Sequence, residues 1–195
     1  MKAHRIFVVF AGILLVAAAG EPYRVDWSSL EEAWTAYLAQ PSAERAAHIQ
    51  ELLPPDRTVS HRSEDFNVTV ATRILDRLGI LESLLAEGRY HAFEVAFALG
   101  EISDGEYAEW LSEMLGASAR THPTALLKSM KSNRIRLSDS CRFGVAADPD
   151  KFDTPAKYIV EIEARRESVA GISDADLAVP RECLCMEFDR VLERR

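Results

Sequence analysis

Apolar residues recur along this chain at helical spacing, in short segments that proline, glycine and polar residues interrupt. The first such segment contains Leu30, Ala33, Trp34, Tyr37 and Leu38. Intervals of three and four residues place these side chains on one face of an α-helix. Ser29 precedes Glu32 by three residues, which is the capping-box arrangement that satisfies free N–H groups where a helix begins. The pattern therefore predicts an amphipathic helix that begins near Ser29.

The same spacing predicts further helices, each bounded by a residue that interrupts it. Proline cannot donate the backbone hydrogen bond of a helix, and glycine commonly follows the last helical residue. The predicted helices cover residues 29–39, 43–53, 66–78 with apolar spacing that continues to 85, 90–102, 104–115, 123–130, 154–170 and 180–192. The helix at 90–102 is apolar nearly all round and is expected to be the central buried element. Residues 20–28 are predicted to be an extended lead-in, and residues 56–65 and 133–153 irregular loops.

Short helices with brief connections predict an all-α fold of stacked antiparallel helical hairpins, either solenoid-like or an orthogonal bundle. Two segments leave an alternative open. Residues 158–163 alternate in a way that also fits a half-buried strand, and so do Leu184, Met186 and Phe188. Thr154 and Pro155 favour a helix for the first segment, because they supply an N-cap and a proline at the first helical position. A small β-hairpin near the C-terminus is the competing interpretation.

Residues 1–19 contain the three parts of a secretory signal peptide in the right order. Lys2, His4 and Arg5 form a basic start, residues 6–16 carry no charge and are mostly apolar, and residues 17–19 are all alanine. The apolar run is shorter than the roughly 20 residues that cross a bilayer as a helix, which favours cleavage over a membrane anchor. We therefore expect an exported protein, periplasmic or secreted, in which residues 20–195 form a single helical domain without an integral membrane segment.

The charge balance restricts the class of partner. The whole chain has a formal net charge of −8, and loss of Lys2 and Arg5 with the signal peptide makes it −10. A negative protein is repelled by nucleic acid and by anionic membrane surfaces. We therefore expect no nucleic-acid partner, whereas a basic protein partner fits this charge.

The chain has three cysteines, Cys141, Cys183 and Cys185. In an oxidising compartment, cysteine pairs tend to form disulfides. Cys183 and Cys185 lie too close in sequence for a relaxed bridge, so Cys141 is expected to pair with one of them and to leave the other as a free thiol. The alternatives are a copper(I) site at Cys183 and Cys185 and a thiol nucleophile at Cys141.

An internal similarity lies in the middle of the chain. Residues 80–85 align with 110–115 at an offset of 30, and residues 95–97 then align with 125–127. This offset is in the range of helix-pair repeats. Residues 96–105, with the amphipathic helix that follows, resemble the inter-repeat turn of HEAT-type repeats, and the resemblance covers residues 80–130. It implies a solenoid that binds a protein on one face rather than an enzyme.

No catalytic or cofactor motif stands out. Gly-x-Ser-x-Gly, His-Glu-x-x-His and a phosphate-binding glycine loop are all missing from the sequence, so no catalytic residue, metal or cofactor is assigned. His61, His91 and His122 recur at spacings of 30 and 31. Stacked repeats would place them in a row and so permit a metal site, but surface or capping positions suit them better. Carboxylates from different helices would form a glycosidase-like pair without any sequence signature.

Two aromatic residues, Tyr23 and Trp27, precede the first predicted helix. They either dock on the domain or contact a partner, as aromatic anchors do at protein interfaces. The leading hypothesis is an exported helical module that acts by binding another protein. A small envelope hydrolase that uses assembled carboxylates, and a thiol- or metal-dependent protein, are the alternatives.

Overall fold

The computed structural model describes residues 24–53, 64, 66–100, 102–132 and 137–194. These ranges are mainly helical and contain no strand, which confirms the all-α prediction. The α-helices are α1 (Trp27–Ala39), α2 (Ala43–Leu52), α3 (Val68–Leu75), α4 (Leu78–Ala86), α5 (Tyr90–Leu99), α6 (Gly105–Thr121), α7 (Pro123–Ser132), α8 (Leu137–Val145), α9 (Pro155–Ala170) and α10 (Ala178–Glu193). Short 3-10 helices, Pro149–Lys151 and Ala175–Leu177, precede α9 and α10.

Helix α1 begins earlier than its sequence pattern predicts. The carboxylate of Asp26 accepts a hydrogen bond from the backbone N–H of Ser29 at 3.1 Å, and the helix begins at Trp27. Aspartate caps a helix as well as serine does, so the predicted capping box at Ser29 is wrong. Trp27 and Ser28, which were expected in the extended lead-in, are therefore helical.

Both segments with contested periodicity are helical. Residues 158–163 lie in α9, where the Thr154 hydroxyl accepts a hydrogen bond from the backbone N–H of Lys157 at 3.3 Å. Residues 184–188 lie in α10, where Leu184 and Phe188 are fully buried. An interval of four residues is the spacing of one helical face. The chain therefore forms a helix in this segment and not the small β-hairpin.

The predicted irregular loop at 133–153 is wrong over most of the part that the structure describes. Residues Leu137–Val145 form α8, and Pro149–Lys151 form a 3-10 helix. The buried residues of α8 include Ser140, Cys141, Phe143 and Gly144. Because all of these but Phe143 are small and partly polar, the apolar periodicity that marks the other helices is weak here.

Consecutive helices pack as hairpins: α1 with α2, α4 with α5, α6 with α7, and α9 with α10. The hairpins stack on one another, because α2 packs on α5, α5 on α7, and α7 on α10, while α4 packs on α6 and α6 on both α8 and α9. This is the predicted stack of antiparallel helical hairpins. The segments that align at an offset of 30 fall on the successive hairpins α4–α5 and α6–α7, and the HEAT-like turn falls between α5 and α6.

The centre of the core is α5, as its apolar composition predicts. Its buried side chains are Ala92, Phe93, Val95, Ala96, Phe97 and Leu99. Helices α2, α4, α6 and α7 pack around it, which explains why nearly every face of this helix is apolar. At one end of the core, the rings of Trp34 and Tyr37 stack with their centroids 5.8 Å apart.

Within the described ranges, no helix is both long enough and apolar enough to cross a bilayer. The predicted signal peptide at residues 1–19 lies outside those ranges. Tyr23 and most of the predicted loop at 56–65 also lie outside them. The predictions made for these segments therefore stay predictions.

Candidate functional site

A groove of about 800 Å³ opens between α6 and α8. Segment 146–150, which follows α8, forms one side of it. Tyr158 from α9 and Val191 from α10 complete the lining. The groove thus lies where the segment expected to be a loop folds back onto the helical stack.

Segment 146–150 reaches this position because Gly116 on α6 has no side chain. A Cβ atom built at Gly116 would lie 1.9 Å from the carbonyl oxygen of Ala146 and 3.0 Å from Nη1 of Arg165. A backbone carbonyl cannot move aside as a flexible side chain can, so only glycine leaves room for it. The close approach sets the distance between α6 and the facing side of the groove.

Arg165 on α9 holds the same side of the groove in place. Its side chain is buried, since the residue is only 6% exposed. Its Nη1 donates to the carbonyl oxygen of Ala146 at 2.9 Å, and its Nε donates to Oε1 of Glu161 at 2.8 Å. Glu161 also forms an ion pair with Arg120 on α6. Every link is charge-assisted, which makes these bonds stronger than neutral ones. The network therefore ties α6, α9 and segment 146–150 together.

The pKa of Glu161 reflects this network. Burial raises the pKa of its carboxyl group, but hydrogen bonds and positive charge from Arg165 and Arg120 outweigh burial, so the pKa is lowered. The carboxylate stays ionised and paired. A glycosidase-like general acid needs a raised pKa, so Glu161 acts as a structural ion-pair partner.

A disulfide between Cys141 and Cys183 joins α8 to α10. Cys183 is one of the two partners that the sequence left open for Cys141, and Cys185 is the free thiol. Cys185 is half-buried, and burial raises its pKa. A raised pKa disfavours the thiolate that a nucleophile or a copper ligand requires. The cysteines therefore tether the α8 side of the groove and offer no activated thiol.

The groove is strongly acidic. Among the described residues, its lining has a single basic side chain, Arg142, and carries five carboxylates: Glu109, Glu113, Asp139, Asp148 and Asp150. Glu113 forms an ion pair with Lys151. A concave surface lined by one sign of charge focuses its field and concentrates ions of opposite sign. The groove therefore attracts cations.

The lining of the groove also contains apolar side chains. Phe143, Val145, Tyr158 and Val191 all line the groove. The ring of Tyr158 packs edge-on against Phe152, with centroids 5.6 Å apart. A mixture of apolar surface and a few polar groups is typical of binding sites, so the groove suits a ligand that is both cationic and apolar.

The histidines that share the repeat spacing have separate partners. Nδ1 of His91 lies 2.8 Å from the hydroxyl oxygen of Tyr37, and Nε2 of His122 lies 2.8 Å from the carbonyl oxygen of Ala86 at the end of α4. His61 lies outside the described residues. In the part of the chain that the structure describes, no three His, Cys, Asp or Glu side chains are grouped so that they would hold a metal ion.

Trp27 is docked on the domain. It is 8% exposed, and its ring packs edge-on against Phe66 with centroids 5.2 Å apart. Docking on the domain, one of the two interpretations of Trp27, is what this contact shows. Tyr23, the other residue considered for that role, lies outside the described ranges.

A second depression, of about 650 Å³, lies where α5 and α7 begin. Its lining includes Lys128, His122 and Tyr90. The hydroxyl of Tyr90 already lies 2.7 Å from that of Ser132, and the ring of His122 packs over Gly88. The groove between α6 and α8 has walls from more elements and far more charge, so it is the better candidate site.

The sequence does not predict this groove, because the lining comes from residues 108–191 and includes a helix with weak apolar periodicity. One signal was present. Asp139, Asp148, Asp150 and Asp153 concentrate negative charge in a segment that also contains Pro149 and Gly144. Such a cluster is usually a solvated loop, so by itself it did not indicate a site.

No protein-family model matches the chain, and neither a curated protein nor a solved structure matches it. The candidate site therefore depends on geometry and charge alone. The resemblance to HEAT-type repeats stays a prediction.

Proposed function

We propose that this protein is an exported interaction module whose acidic groove binds a basic segment of a partner protein. The observation that carries the proposal is the groove, which is lined by five carboxylates and by apolar side chains. Lysine and arginine side chains of the partner would contact the carboxylates, and neighbouring apolar side chains would cover Tyr158 and Val191. Complementary charge of this kind speeds association and selects among partners.

The fixed walls of the groove support a binding role. Gly116 and Arg165 hold segment 146–150 against α6, and the disulfide from Cys141 tethers α8. A preformed site loses little conformational entropy when a ligand binds. The groove would therefore bind without a large rearrangement.

Export is proposed from the signal-peptide pattern at residues 1–19. The Cys141–Cys183 disulfide agrees with this location, because disulfides persist in oxidising compartments. Loss of the basic start of the chain would also raise the negative charge to −10, which strengthens the attraction of basic partners.

Fluorescence anisotropy with a short labelled peptide of alternating lysine and leucine tests this function. The double variant Glu109→Gln with Asp139→Asn removes two groove carboxylates. We expect it to weaken peptide binding by about three- to tenfold at low salt, since exposed ion pairs each contribute up to about 1 kcal/mol. Added salt should reduce the difference, because it screens exposed charges.

The matched control is Glu32→Gln with Glu44→Gln. It makes the same change in net charge on α1 and α2, which do not line the groove. Equal weakening by the two double variants would contradict the proposal, because it would show a general charge effect. Equal binding of a peptide of alternating glutamate and leucine would contradict it as well.

A further inference from the structure

Lys151 brings a cation of the protein itself to the acidic groove. It is the last residue of the 3-10 helix Pro149–Lys151, and its Nζ forms an ion pair with the groove carboxylate of Glu113 on α6. The hydrogen bond to Glu113 raises the pKa of Lys151, and the charges of Asp148 and Glu82 add to this effect. Lys151 is therefore a charged side chain that already neutralises part of the groove.

The backbone around Lys151 is fastened on both sides of this residue. Ala146 is held by the hydrogen bond of 2.9 Å from Arg165, and Phe152 packs on the ring of Tyr158. Between them, the carboxylate of Asp148 accepts a hydrogen bond from the backbone N–H of Asp150 at 2.8 Å. These contacts do not involve the Lys151 side chain, which is 64% exposed. The ammonium group can therefore leave Glu113 while the segment stays in place.

We propose that Lys151 is a built-in competitor, which occupies Glu113 until a lysine or arginine of the bound segment displaces it. The inference rests on the proposed function, because it concerns the same groove and the same class of ligand. The displacement exchanges one cation for another at the same carboxylate and changes no covalent bond.

Competition of this kind affects which ligands bind. A ligand that offers a single positive charge gains little from Glu113, because it must first displace Lys151. A segment with several positive charges also contacts Glu109, Asp139 and the other carboxylates of the groove, so it gains enough to complete the exchange. The competitor therefore acts against weakly basic ligands, which is one physical route to specificity.

The lysine–leucine peptide also tests this proposal on the whole protein. We expect Lys151→Gln to tighten peptide binding by about two- to fivefold, which is the range that an exposed ion pair contributes. The matched control is Lys157→Gln. Lys157 is 63% exposed and pairs with Asp153, which does not line the groove, so its substitution makes the same charge change without releasing a groove carboxylate and should give a clearly smaller gain.

A double-mutant cycle shows whether the effect passes through Glu113. In the background of Glu113→Gln, we expect the further substitution Lys151→Gln to give no more gain than Lys157→Gln does. Two results would overturn the proposal that Lys151 competes. One is an equal gain in peptide affinity from Lys151→Gln and Lys157→Gln in the otherwise unchanged protein, and the other is weaker peptide binding by Lys151→Gln.

The two proposals fail in different ways. If the Glu109→Gln, Asp139→Asn double variant binds the peptide as tightly as the wild type does, the proposed function and the proposal that Lys151 competes are both overturned. Binding that depends on those carboxylates but gains nothing from Lys151→Gln would overturn the competitor alone. Circular dichroism of each variant shows whether it retains the helical fold.

Discussion

At the scale of single residues, the position of the groove depends on one glycine. Gly116 admits the carbonyl group of Ala146, which Arg165 then holds. Neither role is visible in the sequence, because Gly116 directly follows the predicted helix 104–115, where a glycine looks only like a helix end. The structure shows instead that this glycine allows two backbone segments to approach.

Replacing Gly116 with alanine tests this close approach. The added Cβ would overlap the Ala146 carbonyl oxygen, so we expect Gly116→Ala to lower the free energy of unfolding by about 1–3 kcal/mol, as overpacking does. Gly79→Ala is the control, because it also lies inside a helix and a Cβ there meets nothing within 4 Å. We expect the control to be neutral or to stabilise the protein by up to about 1 kcal/mol. Urea denaturation measures the free energy of unfolding of both variants. Equal changes would show that the close approach of Ala146 does not require glycine at position 116.

The pair formed by His91 and Tyr37 predicts a pH dependence. Burial lowers the pKa of His91, the positive charge of Arg89 lowers it further, and Glu94 opposes these effects. The unfolded chain therefore binds a proton at His91 more readily than the folded protein does. The contribution of His91 to stability is present above its unfolded pKa of about 6.5. It is lost as the pH falls through the lower folded value.

We expect the free energy of unfolding to decrease as the pH falls below about 6.5, and part of this decrease to disappear in His91→Gln. Denaturant titrations of both proteins at several pH values measure the difference. If wild type and His91→Gln have the same pH profile, His91 does not contribute to the pH dependence of the free energy of unfolding.

At the scale of elements, α8 shows where periodicity is uninformative. Among its buried residues, Phe143 is large and apolar, whereas Ser140, Cys141 and Gly144 are small. A Cβ at Gly144 would lie 3.2 Å from a methyl carbon of Leu184 on α10, so small size is what this packing needs. Helices such as α5 and α6 were predictable, because their buried faces are large and apolar.

The Cys141–Cys183 disulfide anchors this helix, and its removal should be costly. It closes a loop with a sequence separation of 42, for which chain entropy predicts a stabilisation of about 4 kcal/mol. We expect a reducing agent to lower the unfolding midpoint of the wild type and to have little effect on Cys183→Ala. Cys185→Ala should keep the sensitivity of the wild type. A wild-type midpoint that is unchanged on reduction would contradict the expected stabilisation.

At the scale of the whole molecule, the sequence predicted the stack of helical hairpins but not the groove. Most helices are determined locally, by the spacing of apolar residues, by the N-cap Thr154 and by the positions of glycine and proline. These helices can therefore be predicted from neighbouring residues. The groove depends on contacts between residues far apart in sequence, such as Arg165 with Ala146 and Lys151 with Glu113. No local pattern encodes these pairings.

The central claim is that the acidic groove binds a basic segment, and nuclear magnetic resonance on isotope-labelled protein tests it most directly. Titration with the lysine–leucine peptide should shift amide signals of α6, α8 and segment 146–150 most strongly. The signals of α1 and α2 should change little. The largest shifts at Tyr90 and Lys128, where the second depression lies, would contradict the claim, as would small shifts spread over the whole surface.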